Sequence, residues 1–173
     1  LLSALTAKVK ESREELSAQG NSNALFGLQS MSSEVAEVRA MLSALTQKVK
    51  DSRAELSAQG IGNTLYGLQG MSGEVAEVRA LLRALTAKVV ESAEELNTQS
   101  IGNALYGLCG LISGSSEAGE NDASAMLARV VAELDRVLGA PALLSTFDKQ
   151  DLMRNLLLFN HYAEGNSMKD RIA

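Results

Sequence analysis

The apolar positions between residues 32 and 50 recur at steps of three, four and seven, which is the spacing of one face of an α-helix. We expect this helix to begin near Ser32 or Ser33, because a serine hydroxyl can cap the N–H groups of a first turn. A second, shorter helix is predicted from about Ser57 to Gln69. The apolar residues predicted to face the core are Val35, Val38, Met41, Leu42, Leu45 and Val49 in the first helix and Ile61, Leu65 and Leu68 in the second.

The two-helix pattern repeats along the chain with a period of 40 residues. Leu2, Leu42 and Leu82 open the same phrase, and residues 1–40 and 41–80 are identical at 30 positions. One hairpin of this size cannot bury both of its apolar stripes, so stacked copies must share a core. The sequence therefore predicts an all-α fold, an α-solenoid of stacked two-helix repeats.

The repeat divides the chain into three regions. Residues 1–112 contain three near-identical helical repeats, of which the first is incomplete at its N-terminus. Residues 113–124 are polar and lack periodicity, which predicts a flexible insertion loop. A helical pattern resumes at Ala125, and residues 125–173 are predicted to form a degenerate fourth repeat or C-terminal cap.

The composition narrows the classes of function. Lysine and arginine total 16 against 21 acidic residues, a net charge of −5, which excludes a generally basic surface but leaves a local basic stripe open. One cysteine, Cys109, cannot form an internal disulfide, and one histidine, His161, cannot make a zinc site. No phosphate-binding loop, nucleophile motif or metal-ligand spacing occurs, so we expect no enzyme, no cofactor and no metal. No apolar run approaches the roughly 18 residues that a membrane span needs.

A phrase in the second helix of each repeat resembles a known family. It runs Gln59-Gly60-Ile61-Gly62-Asn63-Thr64-Leu65-Tyr66-Gly67-Leu68 in the second repeat and recurs from Gln19 and from Gln99. This phrase resembles the octotricopeptide-type helical repeats of algal and protist organelle proteins, and the related repeats found beside RAP domains. Where that family has Trp-Ala, this chain has Phe-Gly or Tyr-Gly. The resemblance implies sequence-selective RNA binding in a plastid or mitochondrion; otherwise we expect an intracellular, reducing compartment.

Each repeat carries an asparagine and an aromatic residue at equivalent positions. The asparagines are Asn23, Asn63 and Asn103, and the aromatic residues are Phe26, Tyr66 and Tyr106. The asparagines either form a ladder of amides that hydrogen-bond the backbone between repeats or pair with base edges, and we favour the ladder because a polar group inside an apolar stripe needs a partner. The aromatic residues either pack beside the leucines or stack on bases, and we favour packing.

Basic residues also recur at the repeat period, so stacking would align them along one edge. They are Lys8, Lys10, Arg13, Lys48, Lys50, Arg53 and Lys88. Contact with RNA phosphates is the functional interpretation of this set. Acidic residues are interleaved with these positions at helical spacing, and we therefore favour a solvated helix face with local ion pairs.

Two classes of function remain for this non-enzymatic repeat module. The repeat phrase favours an RNA-binding or RNA-associated role in organelle gene expression, with single-stranded RNA as the partner. The net charge and the mixed-sign helix faces favour the alternative, a protein-binding scaffold or structural subunit of a larger organellar complex. We prefer the RNA-related interpretation here because the phrase is the more specific feature.

Overall fold

The structure is a computed structural model that describes residues 1–112 and 117–138, together with residues 150 and 154. The all-α prediction is confirmed for this part of the chain, which holds seven helices and no strand. The helices are α1 (Leu2–Glu11), α2 (Ala18–Phe26), α3 (Ala36–Asp51), α4 (Ala58–Tyr66), α5 (Ala76–Glu91), α6 (Thr98–Ile112) and α7 (Glu117–Leu138).

The helices alternate between two layers. In one layer α3 packs between α1 and α5, and α5 packs against α7; in the other layer α4 packs between α2 and α6. Side chains from both layers join in one buried cluster, in which Leu42, Ile61, Leu65 and Leu82 are fully enclosed. Burying one such side chain contributes about 1.5–3 kcal/mol. The fold is therefore stabilised mainly by contacts between neighbouring repeats.

The short helices begin at a polar cap, as the pattern of their first residues requires. Ser17 Oγ accepts a hydrogen bond from Gly20 N at 3.0 Å, and Ser57 Oγ accepts one from Gly60 N at 3.1 Å. In the third repeat, Asn97 Oδ1 takes the same role. Ile61, Leu65 and Leu68, which are predicted to face the core, are all fully buried. Helix α4 ends at Tyr66 rather than near Gln69, because the residues that follow form hydrogen bonds from i+3 to i.

The long helix α3 begins later than predicted. Its first residue is Ala36, its N-cap is Val35, and no side chain caps it. Ser33 lies outside the helix, where its Oγ accepts a hydrogen bond from Ser72 N of the next repeat at 2.9 Å. Val35 is 46% exposed instead of lying on the buried stripe. The serine predicted to cap a helix thus connects two repeats.

Two glycines allow the short helices to approach each other closely. A Cβ atom on Gly67 would lie 2.2 Å from Leu25 O, and one on Gly107 would lie 1.9 Å from Leu65 O. The φ angle of Gly67 is −61°, an ordinary helical value, so space rather than backbone conformation requires glycine here. Backbone contact at these two positions sets the distance between α2, α4 and α6.

The predicted insertion loop is wrong for residues 117–124, which form the first part of α7. Four of the buried apolar residues of α7 are Met126, Leu127, Val130 and Leu134, which are spaced like Leu81, Leu82, Leu85 and Val89 of α5 but lie 45 rather than 40 residues later. The helix therefore takes the next place in the long-helix layer, with five added residues ahead of its apolar stripe. Residues 113–116, and residues 139–173 apart from 150 and 154, lie outside the described part of the chain.

Asn21 offers a test of how the buried face is built. It takes the place of Ile61 and Ile101, it is 4% exposed, and its Oδ1 is buried without a hydrogen-bond partner. A buried unpaired acceptor costs about 1–3 kcal/mol, so we expect Asn21→Ile to raise the free energy of unfolding by about 1–2 kcal/mol in urea titrations. The reverse change Ile101→Asn should lower it. A loss of stability in Asn21→Ile would show that the site has no room for isoleucine.

Candidate functional site

Two of the predicted RNA-contacting lysines bind backbone carbonyls of the preceding repeat. Lys48 Nζ donates hydrogen bonds to Ser12 O at 2.6 Å and Glu14 O at 2.9 Å, and Lys88 Nζ donates one to Ser52 O. These carbonyls follow the C-terminal ends of α1 and α3, where backbone oxygens lack helical partners and attract cations. The two ammonium groups therefore link repeats, which leaves less of their charge for an external phosphate.

The other predicted basic contacts remain on the surface. Lys10, Arg13, Lys50 and Arg53 are exposed, and Lys8 is exposed while it pairs with Glu11 at 3.2 Å. An ion pair between two such solvated side chains contributes little to stability. The exposed cations lie among Glu11, Glu14, Asp51 and Glu55, which are also exposed. The surface is therefore of mixed sign rather than a continuous basic stripe.

Helix α7 makes the same kind of link through arginines instead of lysine. Arg129 Nη2 donates to Glu94 O at 2.9 Å, and Arg136 Nη2 donates to Leu96 O at 2.8 Å. Glu133 lies between the two arginines, and its Oε2 accepts a hydrogen bond from Leu96 N. Burial opposes ionisation of Glu133, but the hydrogen bonds from Arg136 and Arg129 outweigh it and hold the pKa of this carboxyl below its usual value.

Sequence reasoning missed this cluster, although its signal was present. Arg129, Glu133 and Arg136 follow one another at spacings of four and three, which places them on one face of a helix. Helices α3 and α5 contain no such row; the basic residues of their last turns are Lys48 and Lys50 in α3 and Lys88 in α5. The cluster shows that α7 binds carbonyls that follow α5 in the same way as Lys88 binds one that follows α3, but with different residues.

The aromatic residues form a stack across the three short helices. The rings of Phe26 and Tyr66 have centroids 5.8 Å apart at an interplanar angle of 26°, and those of Tyr66 and Tyr106 lie 5.4 Å apart at 22°. Each ring is half-buried. Because Tyr66 has a ring on each side, a base cannot stack on its faces without displacing a neighbour. The stack favours the interpretation that these residues pack against each other.

The asparagines do not form the predicted ladder. Asn23 is exposed, and Asn63 and Asn103 are half-buried. None of the three side-chain amides forms a hydrogen bond within the part of the chain that the structure describes. None of their nitrogen or oxygen atoms is among the buried atoms that lack a hydrogen-bond partner. These amides therefore meet solvent at the edge of the short-helix layer, and a purely structural role does not account for them.

A third row of side chains, the glutamines that begin the repeat phrase, completes this surface. Gln19, Gln59 and Gln99 are all exposed and lie four residues before the asparagines, which in turn lie three residues before the rings. These spacings place all three rows on the same face of the short helices. We call this surface the amide–aromatic face; it consists of Gln19, Asn23, Phe26, Gln59, Asn63, Tyr66, Gln99, Asn103 and Tyr106.

The amide–aromatic face carries no charge. Residues 16–33, 56–73 and 96–112, which contain α2, α4 and α6 with their flanking turns, include no Asp, Glu, Lys or Arg. The charged residues of the first three repeats belong to the long helices and to the segments that flank them. The surface can therefore recognise a partner through amide hydrogen bonds and apolar contact, but offers no cation of its own to a phosphate.

Neither a metal centre nor a membrane helix is found among the residues that the structure describes. No three His, Cys, Asp or Glu side chains there lie close enough together to hold a metal ion. No helix in the same residues combines the length and apolar character needed to cross a membrane.

The neighbouring lysines Lys48 and Lys50 separate a role in stability from a role on the surface. We expect Lys48→Met to lower the free energy of unfolding by about 1 kcal/mol, because it removes two charge-assisted hydrogen bonds from a half-buried site while it keeps the aliphatic stem. The matched variant Lys50→Met should leave it within the error of a urea titration. Equal values for the two variants would show that the carbonyl contacts of Lys48 contribute nothing.

Cys109 provides a probe of the packed interior. It is 4% exposed, and burial raises the pKa of its thiol to about 12. Since the thiolate is the reactive form, we expect a thiol reagent at pH 8 to label Cys109 only as fast as the protein unfolds. The pKa of this thiol in the folded protein lies above its ordinary value of 9.0. The buried, neutral thiol therefore contributes fully to the stability of the fold below pH 9, and this contribution is lost as the pH rises towards 12.

The control for this labelling is a chain with Gln59→Cys and Cys109→Ser. Gln59 is exposed, so its replacement should react at once in the folded protein. Rapid labelling of Cys109 in the native wild-type chain would contradict its placement in the core.

Comparison with known proteins gives no identification: no protein family, no curated protein and no solved structure matches this chain. The resemblance of the repeat phrase to octotricopeptide-type repeats therefore stays a prediction.

Proposed function

We propose that the protein is a non-enzymatic α-solenoid with a 40-residue repeat that serves as a protein-binding scaffold. The solenoid is supported by contacts that recur from one repeat to the next. Ser52 Oγ donates to Leu16 O at 3.2 Å, and Ser92 Oγ donates to Leu56 O at 3.4 Å, 40 residues later in both partners. The lysines Lys48 and Lys88 follow the same register.

The amide–aromatic face is the surface that binds the partner, and its partner is an extended polypeptide segment. The observation that carries this proposal is an array of exposed and half-buried side-chain amides on a surface without charge. Each such amide presents two donors and one acceptor, which match the N–H and C=O groups of an uncharged peptide backbone.

RNA fits this surface less well, for two physical reasons. Single strands bind largely through phosphate neutralisation by Lys and Arg, and the face contains neither. Stacking on aromatic side chains is the other general source of affinity for single strands, and the central ring is already covered on both sides. RNA binding and an organellar location remain the prediction that the octotricopeptide-like phrase implies, and the experiment below distinguishes the two partners.

The proposal is tested with two triple variants of the full chain. A random peptide library is selected on the wild-type protein, and affinities of the selected peptides are measured by fluorescence anisotropy at two salt concentrations. We expect Asn23→Ala, Asn63→Ala and Asn103→Ala together to weaken peptide binding by roughly tenfold or more, since three hydrogen-bonding groups are lost. Alanine is the better helix former, so these changes keep the helices.

The matched control combines Lys10→Ala, Lys50→Ala and Arg53→Ala, which should leave peptide affinity unchanged. A random single-stranded RNA pool is titrated alongside, where each phosphate contact adds about −0.7 to the slope of log affinity against log salt. Salt-dependent RNA binding that needs the basic residues and not the asparagines would replace the scaffold with an RNA-binding role. A library that yields no asparagine-dependent peptide would also overturn the proposal.

A further inference from the structure

The lysine and serine hydrogen bonds between the first three repeats run in one direction along the chain. The later repeat supplies the donors Lys48 and Ser52 to carbonyls of the earlier one, and Lys88 supplies the next equivalent bond. The later repeat also supplies the glycine, Gly67 or Gly107, against which a carbonyl of the earlier repeat packs. Each of the first three repeats therefore has one side that donates these bonds and one side that accepts them.

In the described part of the chain, no other repeat packs against the donating side of the first repeat. Lys8, the equivalent of Lys48, is 81% exposed on its side chain and has only the surface carboxylate of Glu11 beside it. Ser12, the equivalent of Ser52, is exposed, and its Oγ bonds only to Glu14 N two residues away. These groups have the positions, but not the backbone acceptors, of their counterparts in the second and third repeats.

The apolar residues on the same side show the same contrast. Leu5 is 54% exposed, whereas its equivalents Leu45 and Leu85 are 1% and 0% exposed. Leu1 is fully exposed, whereas Met41 at the equivalent place is 3% exposed. At the equivalent positions of the second and third repeats, where the long helix packs against that of the preceding repeat, the apolar side chain is buried.

Gly27 gives an independent observation, because it concerns space and not polarity or burial. A Cβ atom on Gly27 would meet only the carbonyl oxygens of Asn23 and Ala24 in its own turn, at an ordinary 3.4 Å. At Gly67 and Gly107, the added atom would lie about 2 Å from a carbonyl of the preceding repeat. The surface at Gly27 therefore has room for the close approach of another backbone, and none of the described residues outside its own turn occupies it.

We propose that this surface, made by Leu1, Leu5, Lys8, Ser12 and Gly27, docks one further 40-residue repeat of the kind seen in residues 41–80, joined in register ahead of Leu1. Such a repeat presents every element that the surface lacks. It has carbonyls after its long helix for Lys8 and Ser12, a short-helix backbone for Gly27, and apolar side chains for the two leucines. The interface is a continuation of the two that the chain already forms between its own repeats.

The experiment compares the chain with an extended version in which a copy of residues 41–80 precedes Leu1. In the extended chain, α1 amides should exchange hydrogen at rates in the range of the α3 amides, and the melting temperature should rise. The Gly27→Ala change then distinguishes docking of the added repeat from a general gain in stability. In the original chain, it should leave the melting temperature unchanged or slightly raised, since Gly27 has a helical φ of −62°.

In the extended chain, the same Gly27→Ala change should lower the melting temperature and restore fast exchange in α1, because the new methyl group meets the docked backbone. Gly67→Ala is the matched control and should lower the melting temperature in both chains. Lys8→Met gives a second test that adds no bulk: it should have no effect in the original chain and should destabilise the extended one.

Three results would overturn the proposal. The first is that Gly27→Ala or Lys8→Met has the same effect in both chains. The second is that α1 exchanges as fast in the extended chain as in the original. The third is that the original chain dimerises in sedimentation experiments and that Gly27→Ala abolishes the dimer, which would assign the surface to a second copy of the chain.

Discussion

The close approach of α2, α4 and α6 is the constraint on which the other features of this structure depend. At Gly67 and Gly107 the backbone of one short helix lies against a carbonyl of the helix before it, with no room for a side chain. That contact brings the aromatic side chains one residue earlier into a stack and sets the glutamines and asparagines in rows. It also lets Leu65 and its equivalents seal the core from the short-helix side. Without it, the repeats would lack a common register.

On the long-helix side of each interface, side chains bind backbone carbonyls at helix ends, which lack partners within the helix. Lys48 and Lys88 meet these carbonyls with a cation, and Arg129 and Arg136 do the same at α7 with Glu133 between them. The apolar interior and the polar edge are thus satisfied by the same neighbour. These contacts join each of the first three repeats to the next one, as the proposed solenoid requires.

These two requirements separate the chain's chemistry into layers. Charged residues are concentrated on and after the long helices, where they join repeats or meet solvent, while the short helices remain neutral. The amide–aromatic face is a consequence of this division: its amides have no structural partner among the described residues, and its rings are held by each other. A neutral surface rich in hydrogen-bonding groups suits an uncharged backbone better than a phosphodiester, which is why we infer a polypeptide partner.

The sequence by itself determined the helical class and, apart from Val35, the buried stripe, because apolar spacing within a helix is a local property that burial then enforces. It also identified the recurring rings and asparagines, but it did not show that the asparagine amides lack hydrogen-bond partners among the described residues. The tertiary structure alone decided the partners of Lys48 and Ser33, since these bonds join residues about 36 to 39 positions apart and leave no local pattern. It likewise decided that residues 117–124 are helical, where polar composition resembles a loop. What a helix face contacts depends on the repeat beside it, and that neighbour is specified by packing rather than by the residues nearby in the chain.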